Sequence, residues 1–83
     1  LTYLVERTAS KNLPVYDDVR SGGTRKQTLI KKIVGNTQDL KSDIIEELKF
    51  KKEDVKINPV TGQVVIKGFH HEKVKNWLEA RGF

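Results

Sequence analysis

The feature that most narrows the fold is a one-sided helix in the middle of the chain. Gly35-Asn36 closes a β-like run, and Asn36 suits an N-cap because its side-chain oxygen can accept a backbone N–H of the first turn. Asp39 follows in that turn, where the helix dipole favours an anion. Leu40, Ile44 and Leu48 then recur four residues apart, with Ile45 widening the stripe, while Lys41, Asp43, Glu46, Glu47 and Lys49 fill the other side. The spacing predicts a helix over Thr37–Lys49, with Phe50 folding back onto the core. Such a helix must lay its stripe on a second layer of structure. With 83 residues the chain has room for one domain, 1–83, and one small core.

Strands on either side supply that layer. Tyr3-Leu4-Val5-Glu6-Arg7 reads as a short strand, and Thr8 to Asn12 as polar connection. Leu13-Pro14-Val15-Tyr16 is extended, since Pro14 keeps Leu13 out of the helical region and itself suits a sheet edge. Asp17 to Gly23 reads as a loop, and Arg25 to Val34 as the longest strand, pairing with Val15-Tyr16 in a hairpin. Beyond the helix, Val55-Lys56-Ile57 and Gln63 to Lys67 flank Asn58-Pro59-Val60-Thr61-Gly62, where Pro and Gly preset the angles of a turn. Gly68 ends that strand. Phe69 to Arg81 reads as a second helix carrying Val74, Trp77 and Leu78 on one side, with Trp77 as a core anchor. Gly82 suits the helix end, and Phe83 can pack beneath it. The order strand, hairpin, helix, hairpin, helix predicts an α+β two-layer sandwich: a small, mostly antiparallel sheet with two helices on one face.

Charge is unevenly spread. The net charge is +5, yet residues 36–54 hold four Lys/Arg against six Asp/Glu, while residues 1–35 hold seven against three. A basic sheet region and an acidic first helix suggest two faces with different partners. In Ser21-Gly22-Gly23-Thr24-Arg25-Lys26, two glycines free the backbone and two cations follow at once, which suits phosphate oxygens. A nucleotide-type phosphate loop is excluded because the required spacing of Gly, Lys and Ser/Thr is absent; the plain alternative is a solvated hairpin tip. Lys31 and Lys32, adjacent on one strand, would point to opposite faces, each flanked by aliphatic residues. Either the second sheet face is covered by an extension, a partner protein or RNA, or one aliphatic pair is simply exposed. Arg7, Lys11 and Arg20 lie near Tyr3 and Tyr16, and aromatics can stack on unpaired bases, although strand tyrosines more often pack. The candidate RNA contacts are therefore Arg20, Arg25, Lys26, Lys31 and Lys32, with Arg7, Lys11 and Tyr16 as a second set.

Other chemistries find little footing. The chain has no Cys, so disulfides and Cys-based zinc sites are excluded. His70 and His71 would diverge on a helix, and only Glu72 stands near as a third ligand, so no metal or other cofactor is expected. Ser10, Ser21 and Ser42 lack motif context, and a chain this small has little room for a deep pocket, so neither catalysis nor a small-molecule substrate is expected. No apolar run approaches the roughly 20 residues that span a bilayer, and no membrane partner is expected. The chain opens at Leu1, for which a removed targeting segment is one explanation.

The blocks Asn12-Leu13-Pro14-Val15-Tyr16, Gly22-Gly23-Thr24-Arg25-Lys26 and Thr61-Gly62-Gln63 with Ile66-Lys67-Gly68, together with Trp77-Leu78 and Gly82-Phe83, run the length of the chain. In these it resembles the protein forty-nine family of the mitochondrial large ribosomal subunit, whose fungal members are named for integrity of the mitochondrial genome. More distantly, Arg25, Lys26, Thr28, Leu29, Ile33 and Gly35 are similar to the basic loop and strand of eukaryotic translation initiation factor one, with one extra residue near Gln27. The resemblance implies a structural constituent of the mitochondrial ribosome in the matrix, with large-subunit ribosomal RNA and other mitochondrial ribosomal proteins as partners. The alternatives are a transient initiation-factor-like module on the small subunit and a protein-interaction module using the open sheet face.

Overall fold

The computed structural model describes residues 2–23 and 25–83; Thr24 of the expected tip loop and the side chains of Arg20 and Ser21 lie outside the description. Among the described residues six strands and two α-helices follow one another: β1 (Tyr3–Val5), β2 (Val15–Arg20), β3 (Arg25–Ile30), β4 (Ile33–Gly35), α1 (Thr37–Leu48), β5 (Val55–Ile57), β6 (Val64–Lys67) and α2 (His71–Ala80). A four-stranded antiparallel sheet has the order β2-β3-β6-β5, and β1 pairs with β4 in a separate two-stranded ribbon. The α+β sandwich is as the sequence predicts, but its β layer is split in two.

The core lies between the larger sheet and the helices. Along β2, β3, β5 and β6 the inward positions are Val15, Thr28, Ile30, Val55, Val64 and Ile66, all buried. Leu40 and Ile44 of α1 and Val74 and Leu78 of α2 meet them and are also fully buried. Removing one such aliphatic side chain from water is worth roughly 1.5–3 kcal/mol, so these few residues dominate the stability of a small domain. Phe50 and Phe83 fold back onto this cluster as expected, and Trp77 packs beside it.

Local chemistry explains most boundaries. The Asn36 side chain accepts the Asp39 N–H at 3.2 Å and starts α1. Gly82 has φ of +93°, and Phe83 N–H returns to the Leu78 carbonyl at 3.1 Å, closing α2. Three expectations need correction. Asp17 to Arg20 are strand rather than loop, because Asp17 and Asp18 find partners across the sheet: Gln27 Nε2 donates to Asp18 at 3.0 Å, and Asp17 meets Thr28 and His71. The long strand over Arg25–Val34 breaks at Lys31-Lys32, where Lys32 takes φ of +52° and the chain turns from the larger sheet into the ribbon. Lys31 and Lys32 thus sit at a corner and do not alternate along one flat strand. Finally, α2 starts at His71, not Phe69, since Gly68 at φ +92° and His70 at φ −136° hold the chain outside the helical region.

A candidate nucleic-acid interface on the open sheet face

Alternation places a second set of side chains on the sheet face opposite the helices. Cross-strand register arranges them in rows: Tyr16, Leu29, Val65 and Lys56; then Asp18, Gln27 and Lys67; then Arg25. The first row gives an apolar floor, with Leu29 nearly covered and Tyr16 exposed at the edge strand. Arg25, Lys26, Lys56 and Lys67 are exposed and line a shallow hollow of about 510 Å³, together with Gln27 and Val65. Glu53 and Asp54 stand on the same rim, so the anion-attracting part lies toward β3 and β6. Lys31 reaches over the Tyr16 ring, its Nζ 5.3 Å from the centroid, which brings one more cation to the edge of this face.

Lys26 borders the hollow as well, although in register it pairs with Val19 and alternates with Arg25 along β3, on the side of Thr28 and Ile30; the other expected residues are placed elsewhere. The Lys26 Nζ lies 5.6 Å from the centroid of the exposed Phe69 ring. Lys32 is exposed at the corner, where its carbonyl accepts the Glu6 N–H at 3.0 Å. Arg7 is occupied within the chain: its Nε donates to the Phe83 carbonyl and its Nη1 to the Lys11 carbonyl, both at 2.8 Å. Lys11 is exposed in that loop with φ of +65°. Arg20 ends β2 opposite Arg25 in register, with its side chain outside the description.

Lys56 and Lys67 are the residues that sequence reasoning missed. The alternation in Val55-Lys56-Ile57 already puts Lys56 opposite the core side. Lys67 joins Gln27 only because the sheet order sets β6 beside β3. On the ribbon, Leu4 and Val34 face each other in register, and both are exposed. Among the described residues no group of three or more His, Cys, Asp or Glu side chains is arranged to hold a metal ion, and no helix is long and apolar enough to cross a membrane. His70 instead sets its Nε2 3.0 Å from the Lys67 carbonyl, and His71 Nδ1 meets Asp17.

A family model described as "Mitochondrial large subunit ribosomal protein (Img2)" matches residues 1–83. The chain is 47% identical over 83 residues to "Large ribosomal subunit protein mL49" of Schizosaccharomyces pombe, covering 100% of this chain and 79% of that protein. It is 35% identical over 81 residues to the protein of the same name from Neurospora crassa, covering 98% of this chain and 49% of that protein.

Proposed function

The chain belongs to the mitochondrial large-subunit ribosomal protein (Img2) family, and on that premise we propose that its open sheet face lies against ribosomal RNA of the large subunit. Membership carries a structural role in the mitochondrial ribosome; that the role is structural rather than enzymatic is part of the proposal. The observation that supports RNA as the ligand is the gathering of Arg25, Lys56 and Lys67 around one hollow on the face that the helices leave open. Arg25 presents a planar fork to phosphate oxygens, whereas Lys56 and Lys67 act as mobile point charges. Tyr16 and Lys31 extend the surface along the edge strand, and Arg20 joins it by register. Lys32, Arg7 and Lys11, away from the hollow, are a second and weaker contact. Neighbouring ribosomal proteins are the further partners, and the exposed pair Leu4 and Val34 suits such a contact better than it suits RNA.

The test is incorporation. Lys56→Glu combined with Lys67→Glu should lower the share of the protein that sediments with the mitochondrial large subunit, while the purified variant keeps the parent's helical circular dichroism. Unchanged sedimentation would remove the open face from the interface. A wash in moderate salt separates the alternatives, because a factor held by a few phosphate contacts leaves steeply with salt and an integral constituent stays.

A further inference from the structure

We propose that Phe69 is a stacking platform for one unpaired base of RNA, with Lys26 meeting the phosphate beside that base. The inference rests on the reading that this protein binds ribosomal RNA. It assigns the unpaired form of RNA and adds a site just beyond the end of β6.

The way the chain holds Phe69 carries the inference. Among the Phe, Tyr and Trp side chains only Tyr16 and Phe69 are exposed, Phe69 at 45%. On a loose loop such a ring would need no explanation, but Phe69 sits on a pinned bridge between β6 and α2. Gly68 N–H donates to the Lys26 carbonyl at 2.9 Å. The buried Thr28 hydroxyl accepts the His70 N–H and lies within donating distance of the Gly68 carbonyl, each at 2.8 Å. The His70 ring is held in turn, with Nε2 3.0 Å from the Lys67 carbonyl and its centroid 4.8 Å from that of Phe50. Both backbone neighbours of Phe69 are therefore fixed, and the ring between them is offered to solvent. A platform ordered before binding loses little freedom when a ligand settles on it.

The surroundings of the ring select the ligand. Lys26 sets its Nζ 5.6 Å from the Phe69 centroid and also borders the basic hollow, so one cation joins the two places. Phe69 further lines a second hollow of about 310 Å³ with Asp17, His71, Glu72 and Lys73. Carboxylates on that rim repel a phosphate, whereas a neutral base can stack on the ring and donate its amino hydrogens to them. The backbone of the same nucleotide is left to Lys26 and to the hollow with Arg25, Lys56 and Lys67. An apolar protein segment on Phe69 would instead have to cover the Lys26 ammonium without pairing it, which is costly. In a duplex both faces of a base are already stacked on its neighbours, so an unpaired base is the form that fits. The other exposed aromatic repeats the arrangement, with Lys31 Nζ 5.3 Å from the Tyr16 centroid.

The experiment measures binding of the full chain to two fluorescent probes: an unstructured RNA of about 12 nucleotides and the blunt duplex of the same sequence. Phe69→Leu keeps an apolar side chain and removes the ring. It should weaken binding to the unpaired RNA roughly 5- to 50-fold and leave the salt slope unchanged, because no phosphate contact is lost. Phe69→Trp should restore the parent's affinity. Lys26→Ala should weaken binding several-fold and lower the salt slope by about 0.7. Circular dichroism and melting temperature should match the parent's for all three variants, whose altered side chains are exposed. The duplex should bind more weakly than the unpaired RNA and should not respond to Phe69→Leu. If Phe69→Leu binds unpaired RNA like the parent while Lys67→Glu does not, the platform is overturned and the open-face reading stands. A loss in Phe69→Leu that Phe69→Trp fails to restore overturns it, as does a parent that prefers the duplex. If Phe69→Leu binds RNA normally yet sediments less with the mitochondrial large subunit, the ring meets a protein and the platform is again overturned. A parent that binds neither probe overturns the platform and the RNA-binding reading together.

Discussion

Single side chains decide how the layers are joined. Thr28, on the middle of β3, is fully buried, and its hydroxyl accepts the His70 N–H and lies within donating distance of the Gly68 carbonyl, each at 2.8 Å. That one hydroxyl satisfies the backbone where β6 hands over to α2. Thr28→Val keeps the shape and strands both groups, and we expect it to cost about 1–3 kcal/mol in denaturant melts. Thr28→Ser, which keeps the hydroxyl, should recover part of the loss. Tyr3 is a second such residue. It is buried, donates to Asp43 at 2.6 Å, and has its pKa pushed up from 10.0 to about 12, first by burial and then by the Asp43 hydrogen bond and charge, with Arg81 pulling the other way. The fold holds the neutral phenol, so this contribution is complete below pH 10 and is lost as pH rises toward about 12. In an ultraviolet titration the folded parent should show a tyrosinate phase near pH 12 that Tyr3→Phe lacks. A parent whose tyrosines all ionise near pH 10 would refute this account.

Among the elements, α1 is the one most open to improvement, because it ends on Lys49 at φ +58°, a left-handed conformation that costs a non-glycine residue roughly 1–2 kcal/mol. Lys49 is exposed, so Lys49→Gly should stabilise the protein by about 0.5–1 kcal/mol, net of the added freedom of the unfolded chain, and raise the melting temperature by several degrees. The same helix was the most legible part of the sequence: three turns of one stripe with an Asn cap leave no competing period. β2 was less legible. Asp17 and Asp18 favour turns locally, and what makes them strand residues is partners nine or more positions away. The corner at Lys31-Lys32 carried no local signal either, since β-branched residues run on both sides and a left-handed Lys has no sequence mark. The candidate interface was half legible for a related reason. Arg25 and Lys26 stand out beside two glycines, but whether they share a face depends on strand pairing, and Lys67 enters only through the β3–β6 neighbourhood.

At the scale of the molecule, the charges divide into two groups that do different things. On the helix side, Arg81 draws α1 and α2 together: its Nη1 donates to Glu47 at 2.6 Å and its Nη2 to Asp43 at 3.2 Å, while its guanidinium lies 4.8 Å from the Trp77 ring. Trp77 Nε1 also donates to Glu47, at 3.3 Å. Part of the acidity of α1 is thus matched inside the chain. On the sheet side, Arg25, Lys56 and Lys67 gather around the hollow, with Glu53 and Asp54 on its rim and Asp18 held by Gln27 on the same face. Stability and RNA binding should therefore separate. Arg81→Ala removes a partly buried guanidinium, opens the stacking on Trp77 and leaves Asp43 and Glu47 side by side; a loss of roughly 1–3 kcal/mol is expected. Lys67→Glu, on an exposed strand position, should change stability by no more than about 0.5 kcal/mol and weaken RNA binding. Since the two sites lie on opposite sides of the sheet and share no partner in the contacts above, the double variant should show the sum of the two stability changes and the binding loss of Lys67→Glu alone. The measurement is a pair of denaturant melts and salt-dependent RNA titrations on all four proteins, with binding read at a temperature where circular dichroism shows Arg81→Ala still folded. An Arg81→Ala protein that is folded yet binds RNA as poorly as Lys67→Glu would mean that the helix side communicates with the open face, and the division of labour proposed for the two surfaces would fail.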